Sequence, residues 1–243
     1  MKQSLSAEWL KLRHSRIGIV LAVLPVISLL IGCANYALNR EVLTNGWYSL
    51  WTQVSLFYGE FFLPILVAIV CAWVCRLEHL NRNWNLVLTA PVPVAAVFMA
   101  KWLTASLLIL FVQALFMGLY GIAGLLLALP GPFPAETIGW ALRGWYACLS
   151  ISALQLGLSL RIRSFAVPVG FSLAAVLIGL GLYVAKWGFY FPYSLLTIGM
   201  HVLSRDALDP LREALFWTVN AGYGLLFAAW SVRGLKGRDA VTG

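Results

Sequence analysis

The residues of this sequence whose types could do chemistry are few: three histidines, four cysteines and one carboxylate set inside an apolar run. His14, His79 and His201 are far apart in the chain, and no His-Glu-x-x-His metal signature occurs. Cys71 and Cys75 stand four apart and share a helical face. A metal or redox role would need further ligands nearby, and the neighbouring sequence offers none. Free cysteine prefers buried sites, so Cys33, Cys71, Cys75 and Cys148 are expected to pack rather than to form disulfides or a metal site. Ser and Asp are not paired within any apolar run, which disfavours an intramembrane hydrolase. No Gly-rich loop ending in Gly-Lys-Ser/Thr is present to cradle phosphate, so the chain carries no nucleotide engine of its own. The carboxylate is Glu60, in Phe57-Tyr58-Gly59-Glu60-Phe61-Phe62-Leu63-Pro64. An ionised carboxylate near the middle of a spanning helix costs about 2.5 kcal/mol or more, so Glu60 is expected to face the protein interior. Two roles stay open. It lies with Arg143 on a translocation path, as a substrate-contacting or gating residue, or it is a near-border acid that reaches water or pairs with Arg143.

These residues sit in a chain made for lipid. Of 243 residues, 61% are hydrophobic and 11% charged, against roughly 25% charged in soluble domains. A spanning helix needs about 20 apolar residues, and six runs qualify: 17–38, 54–74, 98–129, 138–160, 165–187 and 214–232. The reading is an all-α integral membrane protein, one transmembrane domain over residues 1–243. The third run begins near residue 94, and its first turns are expected to project into the cytoplasm around Lys101. Pro25, Pro64 and Pro168 fall inside spans, where neighbouring helices can satisfy the freed carbonyls. Gly118, Gly121 and Gly124 recur every third residue, a pattern of close helix packing. The polar, basic first sixteen residues lack the features of a cleavable signal peptide.

The net charge of +8 lies in the connections, which argues against a nucleic-acid role. With the N-terminus inside, the inner side holds twelve Lys and Arg and the outer side five. Both termini are therefore expected in the cytoplasm, in a multi-pass protein of the inner membrane. Trp47, Tyr48, Trp51, Trp140, Trp145, Tyr146, Trp187 and Tyr190 fall at expected borders, where amphipathic rings suit the headgroup zone. Residues 4–15 place Leu5, Trp9 and Leu12 at helical spacing beside Lys11 and Arg13, which reads as an interfacial helix on the inner leaflet, in contact with membrane lipids. In the connection between spans two and three, Leu77, Leu80, Trp84 and Leu88 keep a helical period before Pro91 and Pro93 stop it. A short amphipathic helix is expected there, across the cytoplasmic face. Residues 188–213 are too few to cross and return as full helices, so an outer re-entrant or interfacial hairpin is expected before span six.

This layout resembles the permease subunits of ABC exporters of the drug and antimicrobial-peptide type, closest to the lantibiotic-immunity and bacitracin-resistance group. The local resemblance is carried by Glu78, Asn83-Trp84, Leu88-Thr89-x-Pro91-Val92 and Ala100-Lys101-Trp102, with Glu8-Trp9-Leu10-Lys11-Leu12-Arg13 similar to the group's opening. The turn departs from the group's pattern at Pro93-Val94-Ala95-Ala96, where more basic residues are expected. The resemblance implies a separate pair of ATPase subunits that binds ATP and Mg, a second permease subunit, identical or related, and a coupling helix docked on the ATPase. Glu78, His79, Asn81, Arg82, Asn83, Trp84, Asn85 and Thr89 are the coupling residues so implied. The chain itself would be no enzyme and hold no cofactor. Two other readings remain beside export of an antimicrobial peptide: a permease for a lipid or small metabolite, and a membrane scaffold without transport.

Overall fold

The computed structural model describes residues 2–13, 15, 17–80, 92–204 and 206–239. Among them the chain is helical and carries no strand. In order, the elements are α1 (Lys2–Arg13), α2 (Ile17–Leu38), α3 (Trp47–Ser55), a π-helical stretch (Leu56–Phe62), α4 (Leu63–Leu80), α5 (Val94–Leu126), α6 (Glu136–Arg161), α7 (Ala166–Val184), a 3-10 turn (Gly188–Tyr190), α8 (Pro192–Gly199) and α9 (Pro210–Asp239).

Among the described residues, five helical stretches are both long and apolar enough to cross a membrane: 17–38, 47–76, 94–126, 166–184 and 210–235. The sixth expected span, α6, has the length, since 26 residues extend about 39 Å. It is too polar by composition to qualify with the other five. Its polar residues Ser150, Ser152, Gln155 and Ser159 are nevertheless all buried, so they face protein rather than lipid. Successive long helices alternate in direction. At one end, Arg40 donates to the carbonyl of Leu127 (3.3 Å) and the Tyr48 hydroxyl bonds Glu136. At the other end, His79 meets the carbonyl of Ser159 and Arg161 that of Trp230.

The second long helix differs most from its sequence-based bounds. It starts at Trp47 rather than near residue 54 and runs unbroken to Leu80. Its middle takes up i→i+5 hydrogen bonding just before Pro64, whose missing N–H interrupts the regular ladder. The aromatics at its start pack into the bundle: Trp47 and Trp51 are 5% and 0% exposed. Their indoles donate inward, to the carbonyls of Gly131 and Met200 (both 3.2 Å). The expected amphipathic helix from Leu77 is corrected in its first turn, because α4 continues through it as one helix; residues 81–91 lie outside those described. The third long helix starts at Val94 and stops at Leu126, three residues before the expected end. Of the glycine triplet on it, only Gly124 has a ring hard against it, with the Trp47 indole 2.1 Å from where a Cβ would sit; around Gly118 nothing lies within 4 Å.

The connection before α9 folds inward. All eight residues of α8 are buried. The Tyr193 hydroxyl accepts from Gln155 (2.7 Å) and His201 meets Arg143, both on α6. Those two α6 residues are twelve apart, so the segment descends about 18 Å along the bundle.

Candidate functional site

Lys101 is fully buried near the start of α5, and an unpaired ammonium there would be prohibitive. The fold surrounds it with oxygen. Its Nζ donates to Glu78 Oε1 (2.7 Å), Glu8 Oε1 (3.0 Å) and the carbonyl of Val74 (2.9 Å). Three acceptors match the three hydrogens of the ammonium. Lys11 bridges the same two carboxylate oxygens, at 2.7 Å to Glu8 and 2.6 Å to Glu78. Two acids and two lysines thus cancel inside a cluster drawn from α1, α4 and α5. Burial pushes the Glu78 carboxyl upward, but Lys101 and Lys11 outweigh it and hold the group below the usual carboxylate range. Glu78 Oε2 accepts no hydrogen bond.

The cluster grips both ends of the 81–91 connection. On the α4 side, His79 Nε2 also reaches the carbonyl of Ser159 at 2.6 Å and ties that end to α6. Of the expected coupling residues, Glu78 and His79 are therefore structural anchors of the connection. Asn81, Arg82, Asn83, Trp84, Asn85 and Thr89 fall outside the described residues. In α1, Trp9 and Leu10 are 60% and 61% exposed while Glu8 is buried, so an apolar strip faces outward and the acid faces the bundle. Lys11 belongs to the cluster, and Arg13 closes the helix backbone.

A second set of polar residues lies toward the opposite end. Glu60 is 3% exposed and sits thirteen residues into the helix that starts at Trp47, about 20 Å along it. It accepts from the Thr197 hydroxyl on α8 at 2.6 Å. Two residues away, Tyr58 donates to Gln113 Oε1 (2.8 Å), and Gln113 donates on to the carbonyl of Ala141 (3.0 Å). Glu60 and Arg143 do not meet. Arg143 pairs instead with Glu213 (2.7 Å) and donates to His201 Nε2 (3.3 Å). An accepting Nε2 leaves the proton on Nδ1, which faces the carbonyl of Ser204 at 3.2 Å. The His201 ring lies 4.9 Å from the Trp140 ring at 27°. Burial first, and the Arg143 guanidinium second, hold the His201 pKa below its usual value.

Sequence reasoning missed Glu8, Thr197, His201 and Glu213 as partners. One signal was available: a lysine within an apolar run requires carboxylates, and Glu8 and Glu78 are the acids nearest the same end. Among the described residues no group of His, Cys, Asp and Glu could hold a metal ion. Cys71, Cys75 and Cys148 are buried and Cys33 is half-buried, all as free thiols.

The family described as "ABC-2 family transporter protein" matches residues 4–179, which include α1 from Ser4 onward, both halves of the charged cluster and helices α2 to α6. No curated protein and no solved structure matches the chain.

Proposed function

This chain belongs to the ABC-2 family of transporter proteins, and from that premise we propose that it is the membrane-spanning subunit of an exporter that expels an antimicrobial peptide or another amphipathic compound. The ABC-2 membrane domain is a permease rather than an ATPase, and the family in general associates with an ABC ATPase. In our reading two permease chains, identical or related, enclose the path. The six long helices α2, α3–α4, α5, α6, α7 and α9 cross the inner membrane. Both termini are cytoplasmic, and α8 is re-entrant from the outer face. Residues 81–91 dock on the ATPase, which supplies ATP and Mg.

The observation that carries the proposal is the Glu8–Lys11–Glu78–Lys101 cluster. Glu78 and Lys101 flank the connection in sequence and touch at 2.7 Å. Motion imposed on that connection is therefore delivered to α1, α4 and α5 together rather than lost in a loose loop. The direction of transport and the amphipathic cargo rest on the sequence resemblance around the same stretch.

Charge reversal at Glu78 together with Arg82, in cells that carry the chain and its partner ATPase, tests the coupling. The expected result is loss of substrate-stimulated ATP hydrolysis and of ATPase co-purification. Unchanged coupling would count against the docking assignment. Survival against lantibiotics or bacitracin tests the cargo: protection that needs both subunits supports the proposal, and none with either compound favours a lipid or small metabolite.

A further inference from the structure

The membrane border beside the charged cluster contains a second feature that coupling does not use. A cavity of about 490 Å³ opens between the end of α4, the end of α6 and the α6–α7 connection. Its walls include Trp73, Arg76, His79, Ser159, Arg163 and Phe165, and among the described residues no acid lines it. Arg76 and Arg163 are exposed, and the Arg76 guanidinium rests 5.1 Å from the Trp73 ring. Ser159 is 2% exposed, yet its hydroxyl has no hydrogen-bond partner. A buried hydroxyl left unpaired costs about 1–3 kcal/mol, which an oxygen-rich ligand in the cavity would relieve.

We propose that this cavity binds the headgroup of an anionic phospholipid. The proposal does not depend on the exported cargo. Two cations and a hydroxyl suit a phosphate, and aromatic walls suit the glycerol and the first methylenes of a chain. Depth selects lipid over a soluble anion. Arg76 ends one candidate span and Phe165 immediately precedes another, so the cavity lies at headgroup level. Beyond it, Val167 and Phe171 stand four apart on α7, 50% and 44% exposed, and form an apolar track for an acyl chain. Basic pockets at such borders are suited to anionic lipids. The same charge opposes a cationic peptide, so this is not a site for that class of cargo.

The test measures thermal stabilisation and binding of the detergent-purified full chain by short-chain phosphatidylglycerol, short-chain phosphatidylcholine and inorganic phosphate. Phosphatidylglycerol is expected to stabilise wild type and the control R233Q, which removes an exposed arginine from the same end of the bundle. In R76Q/R163Q its affinity should fall about fivefold to thirtyfold, the loss of one to two cation contacts at a lipid surface. Without lipid, that double variant should melt with wild type, which separates lost binding from misfolding. S159A should be at least as stable as wild type without lipid and bind phosphatidylglycerol more weakly. Equal stabilisation by phosphatidylcholine, equal stabilisation by phosphate alone, or undiminished binding in R76Q/R163Q would each overturn the proposal.

Discussion

An ammonium with no exposed surface persists at position 101 because three oxygens take its three hydrogens and a second lysine balances the second acid. Replacement by a shape-matched apolar residue breaks that balance. Lys101→Met leaves two carboxylates buried around the half-exposed Lys11, at a cost of about 3–5 kcal/mol. Thermal unfolding should fall by about 6–20 °C, and a melting temperature within 2 °C of wild type would contradict this account. Glu78 adds a pH dependence of defined sign. Its folded pKa is depressed, so its contribution is complete above the ordinary value near 4.5 and is lost as pH falls through the lower folded value. Glu78→Gln should flatten the acid limb of a stability profile. His201 acts in the same direction but in a higher pH window. Because burial and Arg143 depress its pKa, the unfolded chain takes up a proton first as pH drops below its ordinary value near 6.5. Stability should therefore decline below that pH, and His201→Gln should remove the decline. A profile for that variant that matches wild type would show that the Arg143–His201–Glu213 contacts do not contribute as described.

At the scale of elements, glycine positions separate helices that must touch from helices that need not. A Cβ at Gly32 would lie 2.6 Å from the Cα and 2.7 Å from the N of Val54, and backbone cannot rotate aside. Gly32→Ala should push α2 from α3 and cost about 1–3 kcal/mol. Gly118→Ala, with nothing within 4 Å, should be neutral or stabilise its helix by up to about 1 kcal/mol. Equal melting shifts for the two would refute the packing argument. The pair also shows what the sequence could convey. Every third residue from Gly118 to Gly124 suggested a contact face, yet only Gly124 is pressed by an indole, because the pattern says nothing about what lies opposite. The long apolar runs were readable since lipid acts on each helix independently. α6 was readable by length, and its polar side chains became intelligible only once its neighbours were in place. The start at Trp47 was obscured because indoles suit a headgroup border and a bundle core equally well. The burial of α8 was not readable at all: eight residues of mixed character acquire their environment from Gln155, Gly179 and Glu60, which are remote in sequence. The charged cluster was half legible, with Glu78 and Lys101 in the recognised stretch and Glu8 known only as part of an interfacial helix.

For the whole molecule, alternating helix direction sorts the connections into two ends, and the charge of those ends sets the orientation. Lys11, Arg76, Lys101, Arg161, Arg163 and Arg233 gather at the end that holds the cluster, while Glu136, Asp206, Asp209 and Glu213 gather opposite. Lysine and arginine in short connections resist translocation, so the cluster end should stay in the cytoplasm. Thiol labelling can check this cleanly, because Cys71, Cys75 and Cys148 are buried and only Cys33 needs replacement. In that background Ser164→Cys and Ala207→Cys place one exposed thiol at each end. A membrane-impermeant maleimide added to intact cells should modify position 207 and spare position 164, and permeabilisation should expose position 164. The reverse pattern would invert the molecule. It would move the 81–91 connection away from any cytoplasmic ATPase, and the coupling proposal would fall with it. Labelling of both positions from outside would mean that an even number of helices crosses between them. That result would place α7 on the surface instead of through the bilayer, or make the α8 segment a second crossing, and it would break the six-span reading while leaving the Glu8–Lys11–Glu78–Lys101 cluster intact.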